Sequence, residues 1–152
     1  MARSQDSTLK FDHEGGHVLS DPQGYLKYFW PEEPDSECKF ILKFLHDVYA
    51  TVNELHQRPR ILLEVGGGPV VDKLISASRV AQSMIHLDAS VDALIEVSKV
   101  IRGNADAFDW TSRFNFIGSL EHTSGEHVQH RFLSRQFLVG EIDLSIEDSI
   151  ES

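Results

Sequence analysis

Glu64 and Asp88 each close a short apolar run, and a triple glycine lies between them. Ile61-Leu62-Leu63-Glu64-Val65 leads into Gly66-Gly67-Gly68-Pro69, and Met84-Ile85-His86-Leu87 leads into Asp88. A strand, a glycine turn and a second strand ending in an acid make an arrangement that binds nucleoside-type cofactors. Glycines let a ligand approach the backbone closely, and a carboxylate about twenty residues further on grips ribose hydroxyls. A tight strand–helix connection would also use glycine, and Asp88 followed by Ser90 would also suit a helix cap. Three consecutive glycines exceed what such a connection needs.

The residues around the turn narrow the cofactor. A dinucleotide fingerprint needs a third glycine at a later position, which Pro69-Val70-Val71 does not supply. Pro69 also removes an N–H that could have held a phosphate. Lys73 is not followed by Ser or Thr, so no Walker-type pair exists. Glu64 before the glycines would repel a pyrophosphate, or could simply orient the turn. It could instead attract the cationic methionine portion of S-adenosylmethionine. NAD, FAD and ATP are disfavoured on these grounds.

Alternating strands and helices must position these residues. Asp21-Pro22-Gln23-Gly24 is turn chemistry, and the aromatics Tyr25, Tyr28, Phe29 and Trp30 follow it. On residue type alone these aromatics read as core packing against the next helix. Asp35 or Ser36 can cap that helix, and Ile41, Leu45, Val48, Val52 and Leu55 predict an amphipathic helix over 36–56. Strands are expected at 61–65, 83–88, 114–117 and 137–144. Helices are expected from the turn to about 80 and over 90–101, the second burying Val91, Leu94, Ile95 and Val97 or Val100. The polar stretch 122–135 reads as a loop with weak helical character. The pattern predicts an α/β, Rossmann-like fold with the glycine turn at the carboxyl edge of a parallel sheet.

Composition bounds the function. The 152 residues include 41% hydrophobic and 25% charged residues, which suits one domain with a core. A net charge of −10 disfavours a nucleic-acid backbone as partner. Cys38 is the only cysteine, so a reducing, cytoplasmic setting is expected. No run is apolar enough to span a bilayer, so no membrane partner is expected. His13-Glu14-Gly15-Gly16-His17 and the group His122, His127 and His130 have no matching carboxylate or cysteine constellation. Solvated histidines are the simpler reading, and Cys38 reads as a packed thiol.

Four co-linear segments carry a resemblance. Leu62-Leu63-Glu64-Val65-Gly66-Gly67-Gly68-Pro69 with Leu74-Ile75-Ser76-Ala77-Ser78, then Leu87-Asp88-Ala89-Ser90, Ala107-Phe108-Asp109-Trp110-Thr111, and upstream Asp21-Pro22-Gln23-Gly24-Tyr25-Leu26 run in order over about residues 21–121. Together they resemble the small-molecule N-methyltransferase family that includes nicotinamide, phenylethanolamine and indolethylamine N-methyltransferases. The resemblance implies the N-terminal part of a methyltransferase fold, S-adenosylmethionine as cofactor and a small amine as acceptor. It implies that Tyr25 closes over the methionine end of the cofactor, with Trp30, or its neighbour Phe29, near a second such aromatic. Gly66, Gly67 and Gly68 would lie under the cofactor, with Glu64 before them. Asp88 would accept from both ribose hydroxyls, and Ala89 would flank the adenine and ribose in place of a larger residue. Asp143-Leu144 would hold the adenine, with Glu141-Ile142 as the alternative register.

The chain departs from that family pattern in places. Asp72 stands where the family carries a tyrosine, Val70 replaces a small hydroxyl residue, and Ala93 replaces a larger side chain. The sequence stops before the strands that would form the acceptor pocket, so an exposed half-sheet is expected. A flexible arm over 1–20, a cofactor-binding domain over 21–144 and an acidic tail over 145–152 complete the expected organisation. The rival functions are a non-catalytic binding module on the same fold and, behind it, a nicotinamide-dependent oxidoreductase.

Overall fold

The computed structural model describes residues 9–11, 17–19, 21–54 and 61–143. Leu144 and the acidic tail lie outside the described residues, as does Leu55. At the N-terminus β1 (Leu9–Phe11) and β2 (His17–Leu19) pair antiparallel.

The expected turn at Asp21 opens a helix. Its carboxylate accepts from the Gly24 N–H at 2.8 Å, Pro22 takes the first helical position, and α1 runs Pro22–Phe29. Proline there removes only an N–H that has no partner within the helix, which is why turn chemistry and a helix start share one signature. Asp35 caps α2 (Ser36–Glu54) through the Cys38 N–H at 2.8 Å. The next elements are β3 (Ile61–Val65), α3 (Asp72–Ala77), β4 (Ser83–Asp88) and α4 (Val91–Arg102). Then come α5 (Thr111–Glu121), α6 (Gly125–Leu133) and β5 (Gln136–Glu141). Helix α3 is shorter than expected and continues as turns through Val80.

The parallel sheet has the order β3-β4-β5, an α/β Rossmann-like arrangement with helices between its strands. It has three strands because the segment expected as a strand at 114–117 lies inside α5. Phe114, Ile117 and Gly118 are buried on one face of that helix. A Cβ at Gly118 would stand 2.9 Å from the backbone of Thr123 to Gly125, and one at Gly125 would collide with Asn115. The two glycines thus let α5 and α6 close on each other. Helix α6 itself replaces the loop expected over 122–135. His122 ends α5 in the left-handed region (φ 56°), and Ser124 caps α6 by accepting from the His127 N–H at 3.1 Å.

Register sorts the sheet into two faces. Leu62, Met84, Phe137 and Val139 point into a core with Leu26, Leu42, Val71, Ile75, Val97, Trp110, Phe114 and Phe132. Leu63, Ile85 and Leu138 stand side by side on the opposite face. There Ile61, Leu63, Val65 and Leu138 are each about 60% exposed. The helices also bury less than their spacing suggests. In α2 only Leu42 is fully buried, while Phe40, Ile41, Phe44 and Val48 are exposed. Helix α2 rests on α3 and α5. In α4, Leu94, Val97 and Val100 are buried, but Val91 and Ile95 are half-exposed. Among the described residues no helix is long and apolar enough to cross a membrane.

Among the described residues this apolar sheet face is exposed and β3 pairs only with β4, an arrangement that favours self-association. Replacing Leu63 and Leu138 together by lysine is expected to lower hydrophobic-dye fluorescence and concentration-dependent association in sedimentation, with little change in melting temperature. Unchanged dye binding would mean that this face is covered in solution.

Candidate functional site: a glycine turn between two acids

Strand register places Glu64 opposite His86 on the covered face. His86 is completely buried; its Nδ1 lies 2.7 Å from Glu64 Oε2 and its Nε2 lies 2.9 Å from the Gly68 carbonyl. A carboxylate and a carbonyl both accept, so this pair of partners favours the protonated ring, which donates from both nitrogens. Burial pulls its pKa down. The hydrogen bond and charge of Glu64, the Gly68 carbonyl and the charge of Asp88 outweigh burial, and the pKa lies above the ordinary value of 6.5.

Each glycine of the turn has its own reason. Gly66 (φ 75°) and Gly68 (φ 61°) sit in the left-handed region, where a side chain costs about 1–2 kcal/mol. Gly67 is required for space, since a Cβ there would stand 2.7 Å from the Glu64 carboxyl carbon and from the His86 ring. The Gly66 N–H donates to the Leu87 carbonyl at 2.8 Å, and the Gly68 N–H donates to Asp88 Oδ2 at 2.8 Å. The other oxygen of Asp88 accepts from the Ser90 N–H at 2.8 Å. Two backbone donors therefore fix the carboxylate, and each oxygen keeps a lone pair for a further donor. A Cβ at Gly66 or Gly68 would meet nothing within 4 Å, so the turn faces open space. Ala89 is exposed immediately after Asp88.

The third strand brings another acid to this edge. Glu141 pairs in register with Asp88, and the Ile142 N–H donates to the Asp88 carbonyl at 3.1 Å. Asp143 follows, exposed, two residues beyond β5. Of the two acid–aliphatic pairs expected for adenine, Glu141-Ile142 is the one directly beside Asp88.

The aromatic residues form a second group. The Tyr25 ring packs on Phe29 (4.9 Å between centroids) and on Trp30 (5.6 Å). The Trp30 indole N–H donates to Asp72 Oδ2 at 3.0 Å. Tyr25, Trp30 and Asp72 line a cavity of about 300 Å³ that Gly66, Gly67, Gly68 and Asp88 do not line. The segment from Pro69 to Asp72 joins the two groups. A larger cleft of about 730 Å³ lies on the far side of Trp30, against Ala105 to Asn115. It too is separate from the turn.

Three buried charged side chains escape the sequence reading. His86 carries a legible signal, a polar residue at an inward position of an apolar strand. Glu96 does too, lying on the same helical face as Ala93, Val97 and Val100. Glu96 anchors α1, accepting from the Gln23 amide at 3.2 Å and from the Phe108 N–H at 2.8 Å. Arg113 carries no such signal, because it stands between an expected turn and the segment that reads as a strand. Cys38 is half-buried, and burial followed by the Asp72 charge pushes its thiol pKa up, away from a reactive thiolate.

The sequence model of the NNMT/PNMT/TEMT family matches residues 16–144. Indolethylamine N-methyltransferase of Mus musculus is 28% identical over 93 residues, covering 60% of this chain and 35% of that protein. Nicotinamide N-methyltransferases of Sus scrofa and Homo sapiens are 24% and 23% identical, each over 66% of this chain and 39% of their own length. The chain thus spans little more than a third of the curated relatives it matches.

The raised pKa of His86 links stability to pH. A histidine whose folded pKa is raised contributes stability that is fully present below the unfolded value, near 6.5, and lost as pH rises through the folded value. Thermal or urea unfolding between pH 5 and 9 is expected to show no slope from this group below about pH 6.5 and falling stability above it, by at most about 1.4 kcal/mol per pH unit. His86→Leu should remove that slope and lower stability at pH 6. An unchanged slope would show that His86 is not the titrating group.

Proposed function

The chain belongs to the NNMT/PNMT/TEMT family, and from that membership we propose that it binds S-adenosylmethionine at the glycine turn and serves methyl transfer to a small amine. The observation that carries this reading is the Asp88 carboxylate, fixed by the Gly68 and Ser90 N–H groups at the open mouth of the turn. It would accept from vicinal ribose hydroxyls. The turn also has few donors for a phosphate. The Gly66 and Gly68 N–H groups are engaged within the protein, and Pro69 has none. A nucleoside without a pyrophosphate suits such a turn better than a dinucleotide does.

The remaining roles follow the layout. Glu141 with Ile142, or Asp143 with Leu144, would meet the adenine next to Asp88. Exposed Ala89 would leave room beside the ribose. Glu64 sits beneath the turn, where His86 pairs with its carboxylate, and would support the turn under the cofactor. Tyr25 and Trp30 would close over the amino-acid end. S-Adenosylmethionine brings a methyl group on a sulfonium that is already an excellent leaving group, so the protein's task is mainly proximity and orientation. The amines named in the relatives, an indolethylamine and nicotinamide, mark the acceptor class to try first.

A binding module without methyl transfer is the second reading. It is favoured by the Trp30–Asp72 hydrogen bond, which ties one lid aromatic down to α3. Calorimetry separates these readings from failure of both. S-Adenosylmethionine and S-adenosylhomocysteine should bind, and Asp88→Asn should weaken both about tenfold or more, as loss of a charged hydrogen bond does. Transfer of a labelled methyl to a small amine would then select the enzyme reading. No binding, or Asp88→Asn binding like the wild type, would overturn the cofactor site.

A further inference from the structure

The protonated and neutral forms of His86 hold the glycine turn differently. Nδ1 lies 2.7 Å from Glu64 Oε2 and Nε2 lies 2.9 Å from the Gly68 carbonyl, so only a doubly protonated ring donates to both. A neutral ring keeps one proton, and the carboxylate holds it because bonds to charged acceptors are the stronger ones. The Nε2 lone pair then faces the Gly68 carbonyl, acceptor against acceptor. On a completely buried ring that conflict has no solvent to relieve it. The conflict reaches Asp88 through the backbone. Pro69 follows Gly68 and its ring fixes φ, so a displaced Gly68 carbonyl cannot be absorbed there. The change falls on the torsions of Gly68 itself (φ 61°), a residue free to adopt either hand. Those same torsions aim the Gly68 N–H at Asp88 Oδ2, 2.8 Å away.

We propose that His86 is the positioning residue for Asp88: protonated, it keeps the Gly68 carbonyl inward and the Gly68 amide on the carboxylate; neutral, it releases the turn and weakens nucleoside binding. The ligand half of this inference rests on the cofactor reading above, and the turn half does not. Glu64 on β3 and Asp88 on β4 are the charged groups that act on His86, and with the Gly68 carbonyl they favour its protonated form against burial. From α2, Tyr49 feels the Glu64 charge. Burial and then that charge push its pKa above the ordinary 10.0, so it stays neutral while His86 titrates. Affinity is therefore highest at low pH and falls as pH rises through the folded value of His86, which lies above 6.5. Reciprocally, a bound nucleoside raises that value. A histidine that merely filled the core would lower stability when replaced, but it would not tie affinity to pH.

NMR of the full chain without ligand, from about pH 6 to about pH 9, tests the turn half. The His86 ring is expected to titrate above 6.5, and the Gly68 amide to lose exchange protection, corrected for base catalysis, at the same midpoint. Calorimetry tests the ligand half, with S-adenosylhomocysteine and with methylthioadenosine, a nucleoside that has no group titrating in this window. Affinity for both is expected to fall about fivefold as His86 deprotonates, the worth of one ordinary hydrogen bond. Saturating nucleoside is expected to raise the His86 midpoint. His86→Gln, which cannot titrate, should flatten the affinity profile, and the wild-type readouts decide even where that variant is unstable. The proposal is overturned if Gly68 stays protected while His86 deprotonates, or if the ring keeps its proton throughout. Nucleoside affinity that stays flat across the His86 midpoint also overturns it, and leaves the cofactor reading intact. Absence of binding at every pH, with Gly68 protection still following His86, removes the cofactor reading and leaves His86 as the positioning residue of the turn.

Discussion

The contact of buried His86 with Glu64 and Gly68 is the interaction on which the rest of the site depends. The ring reaches Glu64 on the neighbouring strand with one nitrogen and the Gly68 carbonyl with the other. The Gly68 amide then holds Asp88. One continuous chain of hydrogen bonds thus runs from β3 through β4 to the turn and back to the carboxylate at the end of β4. In a dry interior each such bond counts for more, and each broken one leaves a costly orphan. The chain also dictates residue types. Gly67 can carry no side chain, because the Glu64–His86 pair occupies the space, and Gly68 must turn through the left-handed region to present its carbonyl inward and its amide outward.

A second buried charge performs the matching task for α1. Glu96 projects from α4 and collects the Gln23 side chain, the Phe108 amide and the Lys99 ammonium. That cluster fixes α1 against α4, and with it the position of Tyr25 and Trp30 relative to the sheet. The aromatic group and the turn are therefore placed by two separate polar anchors, joined by the short buried run Val70-Val71. All of this machinery lies on the side of the sheet that the helices cover. The opposite face contributes Leu63, Ile85 and Leu138 in one row and holds none of the polar anchors.

Much of this was legible from residue order. The strands at 61–65 and 83–88, the glycine turn and the capped helix after Ser90 follow from local pattern and turn chemistry. What escaped depended on tertiary context. Phe114-Asn115-Phe116-Ile117 fits a short strand as well as a helix, and the deciding factor is the close approach of α5 and α6 at Gly118 and Gly125. Asp21-Pro22 opens a helix with the same residues that would make a turn. The exposure of Phe40 and Phe44 reflects which neighbours α2 meets, which its amphipathic spacing cannot state. Asp72 is visible as a departure from the family pattern, but it lines one cavity with Arg113, and no spacing connects these residues of α3 and α5. His86 and Glu64 could have been paired in advance, because parallel register with inward-facing positions on both strands brings them together.

If the His86-braced turn and Asp88 form a nucleoside-binding edge, titration of the ¹⁵N-labelled chain with S-adenosylhomocysteine shows it most directly. The amides of Gly66, Gly67, Gly68, Ala89 and Ser90 are then expected to shift together and saturate at one affinity, while amides of α6 stay in place. Saturable binding that leaves those turn amides unmoved would contradict such an edge.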